Sequence, residues 1–276
     1  MKTFTRNADA SALRCPPGCD DEAFSHVRKI DHVARNSPED VYGRGSWGYT
    51  VLRTTYSHES DALFPIAVEK LNRWIKGFWA FQSLFVRQSA EFMYLKTDPI
   101  YNDVIAERFC LDIVEDREKL NCSDLQAASP ADVDLLGQRF DVWRISVGAE
   151  HGFEWSPRFS DCILIDDNSL ASLNNLPEYP PDLKALLGSR VPTQKFDQWY
   201  DDGSAYVWLM DARGVSKYAR DADLQQERPS ARGWFKISLL MLWEAWDARA
   251  SYDAGTVLSC ENDVDDEDPD SYWYDW

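Results

Sequence analysis

Residues 47–56 read WGYTVLRTTY, and this stretch decides how the fold begins. Aromatic and β-branched side chains alternate in it with a period of two, which predicts a β-strand. The alternation places every second residue on one face of that strand: Trp47, Tyr49, Val51 and Arg53. A polar turn follows, and Ser60 and Asp61 predict the start of a helix. Apolar residues recur in that helix at spacings of three and four, and the pattern runs on past Gly77.

Strands and helices alternate along the rest of the chain. Further strands are predicted at 109–115, at 162–165, at 206–210 and after Gly233. Helices are predicted to begin at Ser129 and Pro130 and again at Asp167. Two β–α–β halves on one sheet predict an α+β fold, a ferredoxin-like βαβ-βαβ layer with extra helices, whose central strands are 47–56 and 161–166. The alternative is a small α/β sheet.

The composition divides the chain into three parts. Residues 1–44 are polar and predicted to form a mostly irregular N-terminal arm, and 45–247 carry the pattern of a single α+β domain. Residues 248–276 form an acidic aromatic tail. The last sixteen residues hold eight acids and no base, and they end in the aromatic residues Tyr272, Trp273, Tyr274 and Trp276. Like charges at that density repel one another, so we expect the tail to be a separate unit.

The net charge of -18, and the lack of an apolar run long enough for a membrane span, exclude several classes of function. Phosphate-backbone binding needs an excess of Lys and Arg, so a general nucleic-acid binder is excluded, and docking on anionic lipid is equally disfavoured. The N-terminal residues contain no apolar core of a secretory signal, and no apolar run reaches the length of a membrane span. We therefore expect a cytoplasmic or nuclear protein that is not secreted by a conventional signal.

The ordered series of motifs is similar to a family. WGYTVLRTTY at 47–56, CILIDDNSL at 162–170, YVWLMD at 206–211 and GWFKIS at 233–238 follow one another as they do in a large family of uncharacterised proteins of filamentous fungi. The resemblance covers roughly residues 45–247 and implies a fungal origin and a common fold, but no activity. The chain departs from the family pattern in an extra apolar segment around 78–95 and in its acidic aromatic tail.

One group of residues has the chemistry of a metal site, and the common catalytic motifs do not occur. Cys15, Cys19, His26 and His32 supply zinc-type ligands within eighteen residues, but the middle spacing is short for a zinc finger, so no metal is expected. No Gly-x-Ser-x-Gly, Walker or Gly-x-Gly-x-x-Gly motif occurs, so no cofactor is expected and an enzymatic role stays open.

Arg53 is the charged residue to which the strand pattern draws attention. It shares a face with apolar residues, and a covered guanidinium needs carboxylates. Asp116, Asp166 and Asp211 each follow a predicted strand and are candidates to meet it at one sheet end. The cluster is either a structural ion pair at the rim of the core or a group that binds a ligand.

These observations leave two functional hypotheses. The first is a non-catalytic intracellular interaction protein whose acidic, Trp-rich surface and tail bind a protein partner, with Tyr272, Trp273 and Trp276 as anchors. The alternative is a small-molecule enzyme or binder with an aromatic pocket between sheet and helices. The binding residues would then include Arg53, Asp116 and Asp166.

Overall fold

The structure is a computed structural model that describes residues 2–4, 47–88, 106, 108–147, 157–180, 205–228, 231–242, 245, 246 and 249. These residues form an α+β protein with a mixed sheet of five strands between Trp47 and Ser238, to which a short sixth strand adds at one edge. The strands are β1 (Lys2–Phe4), β2 (Trp47–Arg53), β3 (Phe109–Val114), β4 (Asp161–Ile165), β5 (Tyr206–Asp211) and β6 (Trp234–Ser238). The helices are α1 (His58–Gln88), α2 (Pro130–Ser146), α3 (Pro157–Ser160), α4 (Asp167–Asn175), α5 (Ala212–Arg220) and α6 (Ala222–Glu227), and a 3-10 turn covers Leu239–Met241.

The strand order is β1-β3-β2-β4-β5-β6. Strand β2 lies parallel to both β3 and β4, whereas β5 runs antiparallel to β4, and β6 antiparallel to β5. The ferredoxin-like arrangement is not confirmed. Its split β–α–β units leave a gap between the two parallel strands, but β2 and β3, which α1 connects, pair directly from Trp47 opposite Phe109 to Leu52 opposite Val114. Counted from β2 the order is 2-1-3-4-5, the order of a common doubly wound sheet with one strand, β5, reversed.

Helices cover both faces of this sheet. Helices α1 and α4 pack on one face, with Leu71 of α1 and Leu173 of α4 in the same apolar cluster as Val51. Helices α2, α3 and α5 pack on the other face, where Phe140 and Phe159 join the cluster of Leu164. A strand covered on both sides must be apolar throughout, which explains the continuous run at 162–165. The predicted central position of the strands at 47–56 and 161–166 is confirmed by the strand order.

Strand β2 is buried along its whole length. Alternate side chains of β2 therefore enter two different apolar layers, one on each face of the sheet, and neither face is turned to solvent. The Trp47 ring packs 4.7 Å from the Phe109 ring and 5.7 Å from the Trp246 ring, measured between centroids. The Tyr49 hydroxyl donates to the Leu242 carbonyl oxygen at 2.8 Å, so the buried phenol has the partner that it needs.

Several element boundaries differ from the sequence expectation. Helix α1 begins at His58, and the Ser57 hydroxyl accepts from the Ser60 amide at 3.0 Å, so Ser57 fills the role expected of Ser60. Asp166, and not Asp167, caps α4. The predicted continuation past Gly77 is confirmed, since α1 ends at Gln88.

Besides α3 (Pro157–Ser160), three short elements lie where the sequence predicted none. Lys2–Phe4, in the arm expected to be mostly irregular, pairs with β3 as an edge strand. Helices α5 and α6 occupy a stretch interpreted as merely polar. None of the helices in the described part of the chain has the length and apolarity of a membrane span.

Gly48 and Gly137 provide a matched pair of substitutions that test the packing of β2. Gly48 has φ of 138°, and a Cβ atom there would lie 1.9 Å from the Cys110 carbonyl oxygen. Gly137, inside α2, has ordinary van der Waals room, since a Cβ would lie 3.7 Å from the Ala212 carbonyl oxygen. Gly48→Ala should lower the free energy of unfolding by more than about 3 kcal/mol, because it forces two backbones apart at a strained φ.

Gly137→Ala is the control, and it should raise stability by about 0.5–1 kcal/mol because alanine is the better helix former. Both effects are measured by guanidinium unfolding. A Gly48→Ala protein as stable as the wild type would contradict the close approach of β2 to β3.

Candidate functional site

The carboxyl ends of β2, β3 and β4 lie at one edge of the sheet because the three strands are parallel. The chain leaves β2 through α1 toward β3, and it leaves β4 through α4 toward β5, so the two connections run in opposite directions along the sheet although both helices cover the same face. The crevice between two such connections is where open α/β sheets bind ligands. We call this edge the carboxyl edge, and it contains Arg53.

Arg53 ends β2 and is only 6% exposed. Its Nε donates to the Thr55 carbonyl oxygen at 2.8 Å, and the two terminal nitrogens contact Glu115 at 3.0 Å and Asp61 at 2.5 Å. The guanidinium carbon also lies 4.7 Å from the centre of the Tyr56 ring and 4.8 Å from that of Phe64. Arg53 therefore joins β2 to β3 and to α1, which is the work of a structural ion pair.

The carboxylates around Arg53 are more open to solvent. The side chains of Asp61 and Glu115 are 40% and 42% exposed. Hydrogen bonds from Arg117 and then from Arg53 lower the pKa of Asp61. Asp116 pairs instead with Lys119 at 3.5 Å, so Arg53 meets Glu115 where the sequence analysis expected Asp116.

Tyr56 bridges the two strands at this edge. The Asp116 amide donates to the Tyr56 hydroxyl oxygen at 2.9 Å. Burial is the main cause that raises the pKa of Tyr56, and the backbone hydrogen bond opposes it. The phenol therefore stays neutral at physiological pH and acts as an acceptor here.

Asp166 is a buried carboxylate that four donors satisfy. One oxygen accepts from the amide and the hydroxyl of Ser169 at 2.8 and 2.6 Å, which caps α4. The other accepts from the Leu125 amide and from the Trp208 indole nitrogen, each at 3.0 Å. The predicted meeting of Asp166 with Arg53 is not what the structure shows, because the donors around Asp166 come from α4, β5 and the connection between β3 and α2.

That connection, residues 115–129, fills the crevice of the carboxyl edge; we call it the β3–α2 loop. The Cys122 amide donates to the Thr54 carbonyl oxygen at 2.8 Å, and the Asp167 amide donates to the Ser123 carbonyl oxygen at 3.1 Å. Leu120 and Leu125 of the loop are 1% and 0% exposed. The place where a ligand would enter is thus occupied by the chain's own backbone and side chains.

The remaining predicted site residues lie elsewhere. Asp211 sits at the opposite edge from Arg53 because β5 runs antiparallel to β4, with Asp211 opposite Asp161. Tyr272, Trp273 and Trp276 lie outside the described residues, and so do the four candidate zinc ligands Cys15, Cys19, His26 and His32. Over the residues that the structure describes, no group of three or more potential ligands is placed to hold a metal ion.

A second ionic cluster, which the sequence analysis did not find, lies at the opposite edge. Arg249 contacts Asp161 at 2.6 Å and Asp211 at 2.8 Å, and all three are nearly inaccessible to solvent. Burial raises the pKa of Asp161 to about 6; Arg249 opposes this shift and the neighbouring Asp211 adds to it. Among the described residues, two carboxylates share one guanidinium in this cluster, so it holds one more acid than base.

A third buried pair joins β3 to α3. Arg158 donates to Asp112 through Nε at 2.8 Å, between the sheet and the helix. The only sequence signal for these pairs was an aspartate inside or beside an apolar strand, as at Asp112 and Asp161. A charge in such a place requires a buried partner, but the pattern does not say which one.

A comparison of this chain with protein families, with curated proteins and with solved structures finds no match in any of the three. The functional argument below therefore depends on the geometry of the described residues and on the sequence of the tail.

Replacement of Arg53 by Met tests its structural role. Arg53→Met should lower the free energy of unfolding by about 2 kcal/mol, because hydrogen bonds to two carboxylates and a buried carbonyl are lost while the apolar stem is kept. The control Arg117→Met removes an Asp61 partner that is 63% exposed, and it should cost less than about 0.5 kcal/mol. Urea unfolding measures both, and equal losses would contradict the difference in burial.

The Asp161 cluster predicts a pH dependence of stability. The folded state holds the Asp161 proton up to a pH of about 6, whereas the unfolded chain releases it at its ordinary, lower pKa. Between about pH 4 and 6 the folded state thus binds more protons, and the free energy of unfolding should fall as pH rises, by up to about 3 kcal/mol.

The matched control for this pH effect is Asp161→Asn, which keeps the shape of the side chain and cannot ionise. Denaturant unfolding at several pH values should show a smaller decline for Asp161→Asn than for the wild type or for Asp116→Asn, a change at a half-exposed carboxylate. Parallel pH profiles for all three proteins would refute the assignment.

Proposed function

We propose that the protein is a non-catalytic interaction protein that binds a protein partner through its acidic surface and tail. The observation that carries the proposal is the occupation of the carboxyl-edge crevice by the β3–α2 loop. Hydrogen bonds from Cys122 and Leu125 hold this loop in place, and Asp166 and Arg53 are engaged in internal contacts. Opening a ligand site there would break several buried hydrogen bonds, each of which is costly to leave unmade.

The acidic surface of the proposal includes the rim of the carboxyl edge. Exposed acids outnumber exposed bases there: Glu59, Asp61, Glu115, Glu118, Asp124 and Asp167 against Arg117 and Lys119. A negative rim of this kind attracts basic proteins and repels phosphate and anionic lipid. This charge favours a protein partner with a basic surface over a nucleic acid or a membrane. We expect the two proteins to meet in the cytoplasm or the nucleus.

The aromatic part of the proposed binding site belongs to the tail. In the described part of the chain Trp47, Trp143, Trp208, Trp234 and Trp246 are buried in the two apolar layers. Trp74 of α1 is partly buried, and its indole nitrogen donates to the Pro177 carbonyl oxygen at 3.1 Å. The tail sequence supplies Tyr272, Trp273 and Trp276 as the proposed anchors. Aromatic anchors inside a charged surround are typical of binding hot spots.

Deletion of residues 261–276 tests this proposal. The deletion should change the free energy of unfolding by less than about 1 kcal/mol and should abolish capture of a specific protein from extract. The captured protein is identified by mass spectrometry and then rebound in purified form. Charge-dependent binding should weaken as salt shortens the Debye length below about 10 Å.

The matched control keeps every acid and replaces only Tyr272, Trp273, Tyr274 and Trp276 with Ala. If this variant, like the deletion, no longer captures the partner, the aromatic side chains are the anchors. Capture that survives the deletion, or a destabilisation well above 1 kcal/mol, would refute the proposed role of the tail.

A further inference from the structure

Helix α2 has an apolar stripe on its outer side as well as on its inner side. The inner residues, such as Val133 and Phe140, are buried against the sheet. Leu135, Val142 and Ile145 are 52%, 59% and 49% exposed. Steps of seven and three residues keep these three on one side of the helix.

Helix α5 beside it carries a row of bases. Arg213, Lys217 and Arg220 are exposed and follow one another at spacings of four and three, so they share one side of the helix. No acid lies within α5, although the chain as a whole carries a net charge of -18.

Helices α2 and α5 pack side by side. Gly137 of α2 faces Ala212 of α5, since a Cβ at Gly137 would lie 3.7 Å from the Ala212 carbonyl oxygen. Both helices cover the same face of the sheet. The apolar stripe and the basic row therefore belong to one surface, which we call the α2–α5 face, defined by Leu135, Val142, Ile145, Arg213, Lys217 and Arg220.

Arg249 fixes where the chain leaves the sheet toward its C-terminal tail. Its partner Asp211 is also the N-cap of α5, which accepts from the Arg213 and Gly214 amides at 3.0 and 3.1 Å. Arg249 therefore lies at the start of α5, next to the first base of the row. Eleven residues separate it from residue 261, and they can span up to about 36 Å, compared with about 25 Å for the length of α2.

We propose that residues 261–276 dock on the α2–α5 face of their own chain. The segment offers aromatic side chains for the exposed stripe and eight acids for the basic row, so it matches the stripe in polarity and the row in charge. Two acids of α2 beside the stripe, Asp134 and Asp141, are engaged by Gln138 and Arg144 of the same helix. A second copy of the chain is a poorer occupant because two molecules of charge -18 repel each other. The inference rests on the proposed function and adds its regulation: docking hides the aromatic anchors, and a protein partner must compete for them.

The docked state is only modestly favoured. A docking equilibrium constant of about 4 would add less than about 1 kcal/mol to stability, which agrees with the small effect expected of the deletion. It would also keep about 80% of the molecules docked, enough for a chemical probe to detect.

Photo-crosslinking in the full-length chain tests the docking. Val142→p-benzoylphenylalanine places the reactive group on the exposed stripe, and irradiation of dilute protein should join position 142 to peptides within 261–276 of the same chain. The matched control is Ile66→p-benzoylphenylalanine, at a position 46% exposed on α1, which covers the other face of the sheet. It should give no such product. Products are mapped by mass spectrometry.

Charge reversal tests the basic row in the same experiment. Arg213→Glu together with Lys217→Glu should lower the docking equilibrium constant about fivefold, from about 4 to about 0.8. The docked fraction, and with it the cross-link yield, should then fall from about 80% to about 45%. Lys119→Glu, at the carboxyl edge, should leave the yield unchanged.

The outcomes separate this inference from the proposed function. Cross-links from position 142 to a second chain, to other parts of the same chain, or at the same yield as from position 66 would overturn the docking. Insensitivity to reversal of Arg213 and Lys217 would overturn it too. None of these results alters whether residues 261–276 are needed for partner capture. Loss of capture when 261–276 is deleted, together with cross-links from position 142 to that segment in the full-length chain, would support both proposals.

Discussion

The pairing of β2 on both of its edges and its coverage on both of its faces constrain everything else in this structure. A strand in that position has no solvent side, so each neighbouring parallel strand must be reached by a helix that crosses one face. The connection to β3 takes one face through α1, and the connection from β3 to β4 takes the other through α2. Gly48 belongs to the same constraint, because only a residue without Cβ allows β2 to lie so close to the Cys110 carbonyl group.

The same topology creates a crevice at the carboxyl edge, and Asp166 explains why the chain itself fills it. A buried carboxylate is tolerated only when its lone pairs are satisfied. Asp166 meets that need with donors from α4, from β5 and from the β3–α2 loop. The loop is therefore required for the stability of the carboxylate, and the carboxylate is required for the position of the loop. This reciprocal dependence makes the β3–α2 loop and the Asp166 carboxylate one structural unit at the carboxyl edge.

The sequence predicted the positions of strands and helices better than it predicted which strands and side chains pair with one another. The period of two at 47–56 and the continuous apolar run at 162–165 gave the two central strands, and helical spacing gave α1, α2 and α4, because these patterns record which faces are buried. Strand direction left no such record, so the ferredoxin-like layer and the meeting of Arg53 with Asp211 were expected although β5 is reversed. Helix α5 was missed because its pattern is short and its outer side is basic. The three-part division at 44 and 247 stays a prediction.

Three buried arginines are each paired with carboxylates. Arg53, Arg158 and Arg249 each join segments distant in sequence, and together they engage five carboxylates: Asp61, Glu115, Asp112, Asp161 and Asp211. The chain has 29 bases for 47 acids, so acids remain in excess outside these three clusters. In the described part of the chain, α5 presents an exposed row of three bases, Arg213, Lys217 and Arg220. It adjoins an exposed apolar stripe, and the segment of the chain that matches both is its own acidic aromatic end.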